Sequence, residues 1–222
     1  MPPVTQIRLV DTCRLVPSRY PVAGILDTVA SPEDLPFVFE LESWTNDRIS
    51  TELGILSRIP PEEWVVNRPM ASVIMAAFCH PRPDGGRFNG PGRGAWYAGM
   101  SLDTVHAEVI CHRTAELAEV GVFETRVQER LYLANFDTSF HDVRADLPGN
   151  APYHSPTSYA ASQALGQKLL AAGSNGLLYR SARHPGGECV ACFRPGLISD
   201  VRPDSHFEYR WEGKRQPSIR RL

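Results

Sequence analysis

Apolar and polar positions change period several times along this chain, and the changes mark the elements. Ile7 to Tyr20 reads as strand-like and turn-like stretches. Ser31 can cap a helix, Pro32 fits its first position, and Glu33 and Asp34 suit the positive end of the helix dipole. Leu35, Val38, Phe39 and Glu42 then step at helical spacing to about Trp44. Ile55 to Val66, broken by Pro60-Pro61, predicts a short helix and a strand joined by a turn, and Ala71 to Phe78 is small, apolar and buried. Ala95 to Met100 predicts a short strand. Ser101 caps a helix from Leu102 to about Glu119, with Leu102, Val105, His106 and Val109 on one face. Glu129 to Phe136 alternates as a strand. Ser158 to Ala172 is helical and stops at Gly173. Gly176 to Ala182 and Cys189 to Arg194 form a hairpin about His184-Pro185-Gly186-Gly187. His206 to Trp211 is a last strand, and the basic tail 212–222 is expected to fray. Hairpins outnumber crossovers, which predicts an α+β fold: a twisted, mainly antiparallel β core with flanking helices.

Composition narrows the class. A chain of 222 residues with 42% hydrophobic and 22% charged residues is an ordinary globular mix, read here as one domain over 1–222 with its core at about 7–200. Lys plus Arg number 23 against 25 Asp plus Glu, so no bulk positive field draws nucleic acid or an anionic membrane. No stretch is long and apolar enough to span a bilayer, and the N-terminus carries no secretory or transit pattern. Five scattered cysteines fit reduced thiols and a cytoplasmic protein. A homo-oligomer is compatible with the sequence.

Several local patterns could carry chemistry. Asp84 to Gly94 holds five glycines in eleven residues, without the endings of a phosphate loop or a dinucleotide fingerprint. It is either a surface turn or a loop that brings Arg87 and nearby backbone N–H groups against a phosphate, with Phe88 as a stacking face. Cys189 and Cys192 form a CxxC with no second pair nearby, so two thiols on a strand are favoured over zinc. Glu108 and His112 lie one helical turn apart, a spacing too sparse to specify a metal. Glu108 also lies beside Val105 at the edge of the apolar face, where a cleft could form.

Four ordered segments together resemble the RES-domain family, toxins of bacterial toxin–antitoxin pairs. They are Cys13 to Tyr20, Gly85 to Asn89 with Trp96 to Ala98 and Ala107 to Val109, Tyr159 to Gly166, and Gly176 to Arg183. The stretch 27–80 resembles only a longer branch of that family. The resemblance implies a fold similar to ADP-ribosyltransferase toxins and cleavage of NAD+ at the nicotinamide–ribose bond, by hydrolysis or phosphorolysis. It places Arg14, Arg87, Glu108 and Ser181 in the catalytic set and Tyr97, Phe88, Asn89 and Gln163 in binding. It implies NAD+ as substrate, with no separate cofactor or metal, inorganic phosphate as a co-substrate in the phosphorolytic case, and an Xre/ParS-like antitoxin as partner. Two readings stand beside it: a mono-ADP-ribosyltransferase acting on a protein, and a non-catalytic partner-binding subunit. The bond chemistry is compatible with one carboxylate. Nicotinamide leaves as a neutral ring without needing a proton, and a carboxylate near the ribose steadies the oxocarbenium-like transition state.

Overall fold

The structure, a computed structural model, describes residues 1–20, 24–28, 31, 33–34, 56 and 58–222. Among the described residues the α-helices and strands follow in this chain order: β1 (Val4–Pro17), α1 (Ala71–Cys79), β2 (Trp96–Gly99), α2 (Leu102–Val120), β3 (Glu124–Asp142), α3 (Ala160–Ala171), β4 (Gly176–Arg180), β5 (Glu188–Cys192), β6 (Ser199–Glu212) and β7 (Ser218–Arg221). The α+β class holds. The strand order is β1-β2-β5-β4-β3-β6-β7, and β1 also pairs with β3. Five strands therefore close into a ring, β1-β2-β5-β4-β3, and β6 with β7 forms a wing. Only the β3–β4 pairing is parallel among the described residues.

β3 makes this possible through its length. Along one edge it pairs with β1 from Glu129 to His141. Along the other it pairs first with β6, up to Asn135, and then with β4 at His141 and Asp142. The strand expected over Glu129–Phe136 is thus the middle of a 19-residue strand. β1 likewise runs straight through the turn-like positions expected in it. The irregularity there is a bulge between Leu9 and Thr12, with Asp11 at φ 58°. The Asp11 N–H donates to Asn135 Oδ1 at 2.8 Å, so the bulged backbone keeps a partner.

Each helix buries its own cluster against the sheet. α1 sets Ile74 and Phe78 against Trp96, Phe136 and Phe140. α3 sets Leu165 and Leu169 against Phe88, Leu177 and Tyr179. α2 sets Val105, with Leu102 and Val109, against Leu131, Phe207 and Tyr209. Ser101 caps α2 as expected, its hydroxyl accepting from the Thr104 N–H. No helix among the described residues is long and apolar enough to cross a membrane.

Three expectations need revision or lie out of view. The helix expected over 31–44 falls mostly outside the described residues. Within 56–66 the described residues contain a single-turn 3-10 helix, Pro61–Glu63, and no strand, because the tandem prolines withhold the backbone donors a ladder needs. The tail is not frayed. Gly213 turns the chain at φ 71°, and its N–H donates to the Phe123 carbonyl at 2.8 Å. Ser218–Arg221 then pairs with Phe207–Arg210, and the Leu222 N–H donates to the His206 carbonyl at 2.9 Å. The basic side chains that favour a solvated tail serve equally well on an exposed edge strand. Deleting residues 214–222 removes this strand and the Arg215 carbonyl that faces the Trp211 indole N–H at 3.3 Å. Urea unfolding should show a loss of about 1–3 kcal/mol, whereas a frayed tail would leave the midpoint unmoved.

Candidate active site

The glycine loop after α1 is fastened from several sides. Gln163 on α3 donates through Nε2 to the carbonyls of Asp84 (2.8 Å) and Gly86 (3.0 Å). Asn89 donates through Nδ2 to the carbonyls of Gly90 and Arg93, both at 2.9 Å. The Tyr97 hydroxyl accepts from the Phe88 N–H at 2.8 Å and donates to Asn89 Oδ1 at 2.7 Å. At the loop's far end Arg93 donates to both oxygens of Glu63 and to the Phe193 carbonyl, and Arg194 also donates to Glu63 Oε1. Burial works against the Glu63 charge, yet these two guanidinium groups hold its carboxyl below the usual range. α3 meets the loop backbone to backbone. A Cβ on Gly166 would lie 1.9 Å from the Phe88 carbonyl oxygen. This is a braced loop, not a free surface turn.

The bracing fixes Arg87, which is only 6% exposed. Its Nη1 donates to the carbonyls of Tyr153 (3.2 Å) and Ser155 (2.8 Å), and its Cζ sits 4.6 Å from the Tyr159 ring centroid. Its Nη2 is buried without a hydrogen-bond partner in the protein. Arg14 comes from β1, where it faces Tyr132 across the ladder. Its Nη1 donates to the Tyr97 carbonyl at 3.0 Å, its Cζ lies 4.8 Å from the Trp96 ring centroid, and its Nε has no partner. Burial lowers the Arg14 pKa to about 10, which leaves it charged at neutral pH. Buried guanidinium N–H groups without acceptors are costly unless an anion satisfies them.

Glu108 projects from α2. Its Oε1 accepts from the Ser181 hydroxyl at 2.5 Å. The direction of that bond is settled by the β4–β5 turn, because Ser181 Oγ already accepts from the N–H groups of Arg183 (3.0 Å) and His184 (3.1 Å). With those lone pairs occupied, the hydroxyl proton goes to the carboxylate.

Arg14, Arg87, Asn89, Tyr97 and Glu108 all line one cavity of about 330 Å³. The structure thus brings together the two arginines and the carboxylate that the sequence held far apart. Three other expected site residues lie elsewhere. Phe88 does not face the cavity. Phe88 is 1% exposed and its ring packs edge-on to Tyr179 at 4.9 Å, because the loop sends Arg87 to the cavity and Phe88 into the α3 core. Gln163 holds the loop from behind, and Ser181 reaches the cavity through Glu108. Sequence reasoning missed Arg82, His112, Tyr159 and Tyr179 as cavity residues. Tyr159 and Tyr179 stood inside the quoted motifs, and His112 at the noted spacing from Glu108, whereas nothing local marked Arg82. A larger open depression of about 570 Å³ lies beside Met1, Pro152 and Ala164, with Lys168 as its only charged side chain. It offers no comparable convergence. Cys189 and Cys192 fall in different core clusters, on opposite faces of β5, and burial pushes each thiol up to about 12. They cannot share a metal.

Comparison with known proteins follows this geometry. The family model for the RES domain matches residues 55–212. An uncharacterized protein of Sinorhizobium fredii, y4oC, is 25% identical over 208 residues, covering 91% of this chain and 83% of its own. A chain from the crystal structure of the M. tuberculosis MbcT-MbcA toxin-antitoxin complex aligns with a TM-score of 0.46 at 15% identity, over 91% of this chain and 86% of that one.

Since the loop owes its position to the Gly166 contact, Gly166→Ala should push it off α3. Thermal or urea unfolding should report a loss of at least about 1–3 kcal/mol, and a variant as stable as the parent would show that the loop does not depend on this contact.

Proposed function

This chain belongs to the RES-domain family, and from that premise we propose that it is a toxin that cleaves NAD+ at the nicotinamide–ribose bond. The observation that carries the reading is the convergence of Arg14, Arg87 and Glu108 on one cavity. About 330 Å³ is at the small end of ligand pockets, roughly 300–1000 Å³, so a dinucleotide would seat its reacting half inside. The guanidinium groups of Arg87 and Arg14, which line the cavity, suit the pyrophosphate oxygens. Tyr97, Tyr159 and Tyr179 supply aromatic walls for a cationic ring.

In the reaction the C1′–N bond breaks and its electron pair goes to the nicotinamide nitrogen, which leaves neutral. Positive charge develops on the ribose, where Glu108 stabilises it without becoming protonated. An oxygen of water or of inorganic phosphate then bonds to C1′, water losing its proton to solvent. Ser181 donates to Glu108 and keeps the carboxylate oriented. The scattered cysteines support a cytoplasmic protein, and the family resemblance supports an Xre/ParS-like antitoxin that holds it in check.

The test is incubation of purified protein with NAD+, with and without phosphate, followed by identification of products. Free ADP-ribose or its phosphate is the expected outcome. Label from NAD+ retained on a protein band in cell extract would point instead to ADP-ribosylation, and no turnover under any condition to a partner-binding subunit. Glu108→Gln should slow NAD+ loss by about 10²–10³-fold with an unchanged melting temperature; a folded variant working at the parent rate would remove Glu108 from the mechanism. Arg87→Ala should relieve growth arrest on expression, again judged beside its melting curve.

A further inference from the structure

Glu108 has a second neighbour on α2 that the reaction as written does not use. His112 lies one turn on, with Nε2 at 3.9 Å from Glu108 Oε2. That is beyond a direct hydrogen bond, but a small side-chain rotation would close it. On its other side, His112 Nδ1 lies 3.1 Å from Arg82 Nη1. A guanidinium only donates, so Nδ1 must accept, and the single proton of the neutral ring sits on Nε2, facing the carboxylate. Arg82 is itself held. Its Nη2 donates to Glu116 at 2.5 Å, Glu116 accepts from Arg113 at 2.9 Å, and Arg113 also grips Glu129 at 2.7 and 3.0 Å. Glu129 belongs to β3 and its side chain is 2% exposed. A chain of alternating charges thus runs from the sheet interior to the cavity.

We propose that Arg82 holds His112 in the Nε2–H tautomer and that His112 is thereby a positioning residue for Glu108, donating to the carboxylate oxygen that Ser181 leaves free. The positioning role rests on the proposed function; the tautomer and the hold of Arg82 do not.

The charges around the ring explain why a guanidinium suits this task. His112 faces Arg82 from the segment after α1, Arg183 from the β4–β5 turn and Arg87 from the glycine loop, against Glu108 and Glu116 on its own helix. Burial and these arginines lower its pKa to about 4. A histidine beside a carboxylate one turn away would otherwise tend to take a proton and pair with it. Here the ring stays neutral at physiological pH. It orients Glu108 without cancelling the negative charge that a cationic ligand would meet.

Nitrogen-15 long-range NMR on the parent protein reads the tautomer directly, and the Nε2–H form is expected, with no His112 titration between pH 8 and 5. Arg82→Gln keeps a donor toward Nδ1 but removes the charge, so the His112 midpoint should rise by a unit or more. An Nδ1–H ring in the parent, or a midpoint unmoved in R82Q, overturns the proposal. In NAD+ turnover, His112→Ala should lower kcat by about 10- to 100-fold with KM changed less than twofold. His112→Gln, whose amide N–H can reach the same oxygen, should recover most of that loss. Parent kcat in H112A, or equal losses in H112A and H112Q with equal melting temperatures, overturns the positioning role. A parent protein that leaves NAD+ intact sinks the proposed function, while the tautomer and the R82Q midpoint still decide whether Arg82 holds the ring.

Discussion

The division of β3 between three partners is the constraint on which this molecule depends. A strand has two edges. β3 gives one to β1 and shares the other between β6 and β4. Had β6 run the full length of that edge, β4 would have no place beside β3 and the ring could not close. The changeover falls between Asn135 and His141, after two register shifts in the β3–β6 ladder. It sets the turn that follows β4 beside α2, and the Ser181 hydroxyl meets Glu108 there. A feature of backbone pairing thus decides where a side-chain hydroxyl meets a carboxylate.

The cavity that results is unevenly charged. Arg14, Arg82 and Arg87 line it against the single carboxylate of Glu108. The protein satisfies these cations only in part. Aromatic faces and backbone carbonyls take some of their donors, and Glu116 takes Arg82 out to the rim. Partial satisfaction is what a binding site for an anion requires, since a fully paired guanidinium has nothing left to offer and an unpaired one is costly to bury. Rigidity comes from the same contacts. Gln163, Asn89 and Tyr97 fix the loop that carries Arg87, so its position is set before any ligand arrives.

Much of this was legible in the sequence, for identifiable reasons. α2 announced itself by its Ser101 cap and its apolar stripe, and Glu108 by its place at the stripe's edge. The β4–β5 hairpin followed from its turn residues. What local patterns could not give was length and side. β3 and β6 continue well beyond their alternating segments because neighbouring strands, not local propensity, extend them. Phe88 was misassigned because a loop without regular period does not say which of two adjacent side chains turns inward. Arg82 carried no signal at all. Its place depends on how α1 ends against α2, a contact between segments 30 and more positions apart. The basic tail read as solvated because charge pattern does not distinguish a free end from an edge strand.

The ring also sets an order of events on the ribosome. β1 precedes its partners: it meets β2 only at Gly99 and β3, its main partner, more than a hundred positions on, and the ring is open until β4 and β5 have joined it. Arg14 and Tyr179 bound the span that must exist before the cavity has all its walls. No nascent fragment ending short of that hairpin contains the assembled pocket, so the closing step couples maturation of the pocket to emergence of the β4–β5 hairpin.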